Sequence, residues 1–194
     1  MAQKWALFST FDKTGISNFA SGLAGLGFEI LATSGTAEAL QNCGLTVTPI
    51  SKISGLPESM DGRLKTLHGP IFAGILADRA NPEHRAVLER VGVGPIEVVV
   101  VNFYPFKESS RKALPEARTV EDLDVGGPAL ARAAARNYQY VTVVVDPVDY
   151  PWVLKEFQHY AGNTTLETRR KLARKVFELT AEYDRAIANY LAGL

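Results

Sequence analysis

Cysteine is almost absent from this chain. Cys43 stands alone, so an internal disulfide is excluded and a reducing compartment is expected. An excess of charge of either sign is also lacking: 21 Lys and Arg face 21 Asp and Glu. Nothing therefore draws the chain as a whole toward nucleic acid or an anionic membrane. Long hydrophobic runs are missing too, since stretches such as Val98 to Val101 are far too short to span a bilayer. The N-terminus lacks the charged, apolar and cleavable order of a secretory signal. A cytoplasmic protein, with no nucleic-acid or membrane partner, is expected. His68, His84, His159 and Cys43 are scattered without metal-ligand spacing, so no metal site is expected. There is no P-loop, no Gly-x-Gly-x-x-Gly after a strand and no Gly-x-Ser-x-Gly elbow.

What is present suits one globular domain over residues 1–194, with 46% hydrophobic and 22% charged residues and no convincing linker. Trp5 to Ser9 reads as a buried strand. Asp12 offers an N-cap, and Ile16, Phe19, Ala20, Leu23 and Leu26 recur at helical spacing up to Gly27. Phe28 to Ala32 is a second strand, Ala37 to Gln41 a second helix, and Leu45 to Ile50 a third strand. Strands alternating with helices predict an α/β fold with a mostly parallel sheet. Ser54 to Lys65 is rich in turn residues, and Ile71 to Ala77 fits a strand or a helix equally. Asn81-Pro82-Glu83 starts a helix. Ile96 to Val101 is the clearest strand, β-branched enough to be buried on both faces. Lys107 to Thr119 reads as an exposed excursion. A helix opens at Gly126 and runs to about Arg136, Val141 to Val145 is another strand, and Asp149 is placed to cap the next helix. Thr164 and Glu167 have capping-box spacing before a long helix over about 165–191. Arg169, Arg170, Lys171, Arg174 and Lys175 cluster at its start and read as a solvated face. His84 and His159 read as surface residues, and Cys43 as a small filler at a helix end.

Ligands of open parallel sheets bind outside the carboxyl ends of the strands. Ser9 to Gly15 and Thr33-Ser34-Gly35-Thr36 follow the first two strands as small, hydroxyl-rich turns at helix N-termini. Bare N–H groups and the helix dipole there suit a phosphate, and Lys13 adds a cation. One such turn is more often only a cap; two in one sheet favour a phosphate site. Gly126-Gly127-Pro128, preceded by Asp124, is a third helix start with accessible backbone. Asp61 to His68 packs Arg63, Lys65, Thr66 and His68 into a turn-like region able to clamp an anion or polarise a carbonyl.

Taken in order, these segments resemble the IMP cyclohydrolase domain, the N-terminal half of the bifunctional AICAR formyltransferase/IMP cyclohydrolase. The matching pieces are Asp12-Lys13-Thr14-Gly15, Gly35-Thr36-Ala37, Arg63-Leu64-Lys65-Thr66-Leu67-His68, Asn102-Phe103-Tyr104-Pro105-Phe106, Asp124-Val125-Gly126-Gly127-Pro128 and Tyr183-Asp184-x-Ala186-Ile187. The resemblance implies a methylglyoxal-synthase-like fold and the dehydrative ring closure of a formylated carboxamide ribonucleotide (FAICAR) to inosine monophosphate, without a cofactor. It implies that Ser9, Lys13, Thr14, Ser34, Gly35, Thr36, Arg63, Lys65 and Thr66 hold phosphate and ribose. Asn102, Asp124, Gly126 and Gly127 would meet the base, and Lys65, Tyr104 and Asp124 would surround the reacting atoms. Arg136 stands where the family has a lysine associated with catalysis; it keeps the charge but stays protonated. Phe11, Ser34 and Phe72 replace the family's serine, glycine and second histidine. A homodimer is implied, as is the absence of a formyltransferase domain, which calls for a separate formyltransferase as partner if the chain is naturally this short. Two other readings stand beside this one. A non-catalytic purine-nucleotide-binding module is favoured by Arg136 and Phe11; a methylglyoxal-synthase-type lyase shares the fold.

Overall fold

A computed structural model describes residues 4–55, 64, 66–104, 106 and 115–193. Five parallel strands form one sheet in the order β3-β2-β1-β4-β5: β1 Lys4–Thr10, β2 Phe28–Ala32, β3 Val47–Pro49, β4 Ile96–Asn102 and β5 Thr142–Val144. The order reverses between β1 and β4, whose register runs from Ala6 opposite Val98 to Thr10 opposite Asn102. Parallel neighbours require crossovers, and right-handed crossovers put connections running in opposite directions on opposite faces. Helices α1 (Ile16–Gly25) and α2 (Ser34–Gln41) lie on one face. On the other lie α4 (Gly69–Leu76) and α7 (Gly126–Arg136), which pack together. Both faces of β4 are thus covered, and Val98 to Val101 are wholly buried. Each such side chain contributes about 1.5–3 kcal/mol relative to exposure. The valine run in the sequence is the imprint of that two-sided burial.

Helices α3 (Ser51–Ser54), α5 (Pro82–Val91), α6 (Glu116–Glu121) and α8 (Tyr150–His159) complete the layers with α9, a helix of 27 residues over Leu166–Ala192. Helix α9 packs on α7 and β5. Helix α8 packs on α1, where Tyr150 stacks on Phe19 with ring centroids 4.9 Å apart.

Several local expectations need correction. The undecided segment at Ile71 is helical, its Ile71 and Ile75 buried one turn apart. Asp12 does not cap α1: its carboxylate accepts the Thr14 N–H at 2.8 Å, and the helix starts after Gly15, which takes φ 72°. Asp149 precedes α8, but its carboxylate binds the Trp152 indole and Lys175 instead of the helix end. Thr165, not Thr164, caps α9, accepting the Thr168 N–H at 3.2 Å; the Thr164 hydroxyl is shared with Thr142. The basic cluster is not uniformly solvated. Arg169 binds the carbonyls of Tyr138 and Thr164, and Lys175 bridges Asp146 and Asp149, whereas Arg170, Lys171 and Arg174 are exposed. Cys43 is exposed rather than a filler, 3.2 Å from the Ser17 hydroxyl. The excursion from Lys107 contains α6 at its end; its residues 107–114 lie outside the described residues, as does most of the turn from Ser54 to Lys65.

Candidate functional site

A cavity of about 730 Å³ opens at the carboxyl ends of β1, β2 and β4, where the strand order reverses. This is the place where an open parallel sheet leaves a crevice between diverging loops. Its floor is hydroxyl-rich, with Ser9, Thr10, Thr33 and Thr36, and Lys13 and Gly35 beside them. Thr36 is buried, and its hydroxyl accepts the Thr10 N–H at 3.1 Å and donates to the Thr10 carbonyl at 3.2 Å. The first turn of α2 is thereby locked to the end of β1. Gly35 faces open space, so this helix start stays accessible to an anion. The Lys13 ammonium donates to the carbonyls of Thr10 and Phe11 at 2.6 and 3.2 Å, which holds its charge over the floor. The carboxyl of Asp12 lies below its usual range, chiefly because the Thr14 hydroxyl and N–H bind it, with Lys13 adding to the effect.

Asn102 stitches the β1 turn to β4. Its side-chain oxygen accepts the N–H groups of Phe11 and Asp12, both at 2.8 Å, and its side-chain NH₂ donates to the Asp12 carbonyl at 3.0 Å. That occupies three of the four bonds a carboxamide can make, and the Tyr150 hydroxyl lies against the same side chain.

The opposite wall is the start of α7. The Asp124 carboxylate accepts the Gly127 N–H at 2.8 Å and so caps the helix. Its own backbone N–H donates to the Tyr183 hydroxyl of α9 at 2.9 Å. Tyr183 is fixed in turn by edge-on packing against Phe103, ring centroids 5.0 Å apart. A methyl group on Gly127 would lie 2.8 Å from an Asp124 carboxylate oxygen and 2.9 Å from the Phe103 Cβ; one on Gly126 would lie 3.3 Å from the Thr66 hydroxyl. The two glycines let Asp124 and Thr66 close on the helix end. Phe11 and Tyr104 stand at the rim with Val120, Leu123 and Val125.

The structure therefore gathers Ser9, Lys13, Gly35, Thr36, Thr66, Asn102, Tyr104, Asp124, Gly126 and Gly127 around one cavity. Arg63 and Lys65 lie outside the described residues. Thr14 is exposed and, with Ser34 at the first position of α2, adjoins the lining without belonging to it. Arg136 does not line the cavity. It is the last residue of the helix whose first residues line the cavity. At about 1.5 Å per residue it sits roughly 15 Å away. The adjoining Asn137 binds the carbonyls of Ile75 and Ala77 at the far end of the layer. Thr10, Thr33, Leu67 and the 120–123 segment also line the cavity. Their position at strand and helix ends was the available signal for the first two. Tyr183 stood in the Tyr183-Asp184-x-Ala186-Ile187 motif of the resemblance, but that motif lies in a helix remote in sequence and gave it no place in the site.

Among the described residues no group of His, Cys, Asp and Glu is placed to hold a metal ion. No described helix is long and apolar enough to cross a membrane.

Comparison with known proteins identifies relatives of the chain. The family model of the MGS-like domain matches residues 15–129, and that of the AICARFT/IMPCHase bienzyme matches residues 134–193. The bifunctional purine biosynthesis protein PurH of Persephonella marina is 49% identical over 186 residues, 96% of this chain and 36% of its own length. PurH of Ruminiclostridium cellulolyticum is 50% identical over 189 residues, 97% of this chain and 37% of its own. The chain thus spans little more than a third of these relatives. The crystal structure of ForH superposes with a TM-score of 0.88 at 33% identity, covering 98% of this chain and all of that one. Both relatives are named as bifunctional proteins, a description that applies to their whole length. The chain belongs to the MGS-like domain family and corresponds to the IMP cyclohydrolase domain of the AICARFT/IMPCHase bienzyme.

Proposed function

We propose that this chain is an IMP cyclohydrolase and that residues 1–194 form its catalytic unit, working as a homodimer in the cytoplasm. The observation that carries the reading is the pairing, in one cavity, of an anion-accepting floor with a carboxylate fixed at the facing helix start. A ribonucleotide monophosphate spans such a site with its phosphate toward Ser9, Lys13 and Gly35 and its heterocycle toward Tyr104 and Asp124.

In FAICAR the carboxamide nitrogen and the formyl carbon already share one molecule. Ring closure forms the bond between them; the carboxamide nitrogen gives up one of its two protons, the formamide nitrogen gives up its one, and the formyl oxygen leaves with both as water. Holding the two groups in contact replaces the entropy loss of a bimolecular encounter. Asp124 is a candidate to take a proton from the attacking nitrogen, and Tyr104 to donate one toward the departing oxygen. Lys65, by its place in the motif, is assigned the negative charge that develops on that oxygen. The arginine that replaces the family lysine lies at the far end of α7, so it gives no ground within one chain for a non-catalytic reading.

The test is turnover of FAICAR by the purified chain, followed as ultraviolet absorbance of inosine monophosphate. Product is expected, with a loss of at least about a hundredfold in Lys65→Ala. A folded protein without turnover would overturn the assignment.

A further inference from the structure

Phe11 and Tyr104 are 56% and 41% exposed, yet their rings meet edge to face, centroids 4.8 Å apart and planes at 88°. They come from different strand exits, β1 and β4. Single exposed aromatic residues need no explanation. Two in contact across the rim of one cavity do, because both line it. The backbone of Phe11 is fixed by its N–H, which donates to the Asn102 side chain at 2.8 Å and main-chain carbonyl at 3.1 Å. The origin of the ring is therefore set before any ligand arrives. Below the pair lie the hydroxyls of Ser9, Thr33 and Thr36. The cavity is polar at its floor and aromatic at its rim.

We propose that Phe11 is a specificity-determining residue: braced against Tyr104, its ring forms with it an aromatic corner that receives the flat heterocycle of the bound nucleotide. A perpendicular pair offers the face of one ring and the edge of the other, and aromatic heterocycles pack favourably against both. The same contact fixes the direction of Tyr104. The proposal rests on the purine-nucleotide reading above and adds a residue to it.

Phe11 is more than half exposed, so its replacement leaves the core intact and the variants fold. Inosine monophosphate binding is measured by calorimetry for the native chain and for Phe11→Ala, Phe11→Leu and Phe11→Tyr. Stacking on an aromatic side chain predicts weakening by about tenfold or more in Phe11→Ala, little recovery in Phe11→Leu and recovery in Phe11→Tyr. Unchanged affinity in Phe11→Ala overturns the proposal, and so does a Phe11→Leu variant that binds as tightly as the native chain. In both cases the function assigned above survives. A native chain that does not bind inosine monophosphate overturns both.

Discussion

Gly127 shows how much of the site depends on a single missing methyl group. Its backbone is not in the left-handed region, so room rather than conformational freedom requires glycine there. In Gly127→Ala the new Cβ would sit 2.8 Å from the Asp124 carboxylate and 2.9 Å from the Phe103 Cβ. The carboxylate is the easier group to displace, since Phe103 is held in a cluster with Tyr183. Turnover should fall by about tenfold or more, while the melting temperature drops by only about 2–8 °C, the effect of one or two kcal/mol on a chain of this size. A variant that keeps full turnover would show that Asp124 does not depend on this close fit. The glycine pair and the acid were legible as a helix start with bare backbone. Their mutual contact was not, because it depends on how Asp124 folds back onto Gly127.

At the scale of elements, α9 reaches into the site through one hydroxyl. Tyr183 accepts the Asp124 N–H, and Tyr183→Phe would leave that half-buried donor without its present partner. A cost of about 1–3 kcal/mol is expected. Loss of kcat should exceed any change in KM, because the acid loses its alignment while the phosphate floor is untouched. Thermal melting with steady-state kinetics checks this. An unchanged kcat would place Tyr183 in a purely structural role. The elements themselves were readable where packing leaves a period: the valines of β4, the spaced Ile16, Phe19 and Leu23 of α1, and Asn81, whose side chain does accept the Glu83 N–H at 2.9 Å. Caps were less so. Thr164 and Thr165 are chemically alike and adjacent, and the choice fell to Thr165 because Thr142 engages Thr164 across the fold.

Over the whole molecule, strand order places the site and a polar knot ties α9 to the exit of β5. Lys175 reaches Asp146 at 2.7 Å and Asp149 at 2.6 Å. Burial pushes the Asp146 carboxyl up, but the bonds from Lys175 and the Val148 N–H outweigh it, leaving the group below its usual range. Burial likewise works against the Lys175 charge, and the two carboxylates overcome it, raising its pKa. A depressed acid contributes stability above its unfolded value, near 4, and loses it as pH falls through the lower folded value; a raised lysine contributes below about 10.4 and loses it as pH rises through the folded value. Melting temperature should therefore decline at both extremes, and Lys175→Met should flatten both limbs by an amount suited to a part-exposed pair, about 1 kcal/mol or less. Equal profiles for the two proteins would remove the knot from the account of stability. Strand order was not legible: alternation announces a parallel sheet but not the point where it reverses. Arg136, which the resemblance grouped with the site, lies at the opposite end of α7 from the residues that line the cavity. The Asn102 stitch has a consequence for ligand entry. Its three bonds hold the β1 turn in a single shape before any nucleotide arrives, so the ordering cost of that wall is met during folding. Binding should then resemble a key entering a cut lock, with little change in the hydrogen-exchange protection of residues 11–14 between the empty and occupied states.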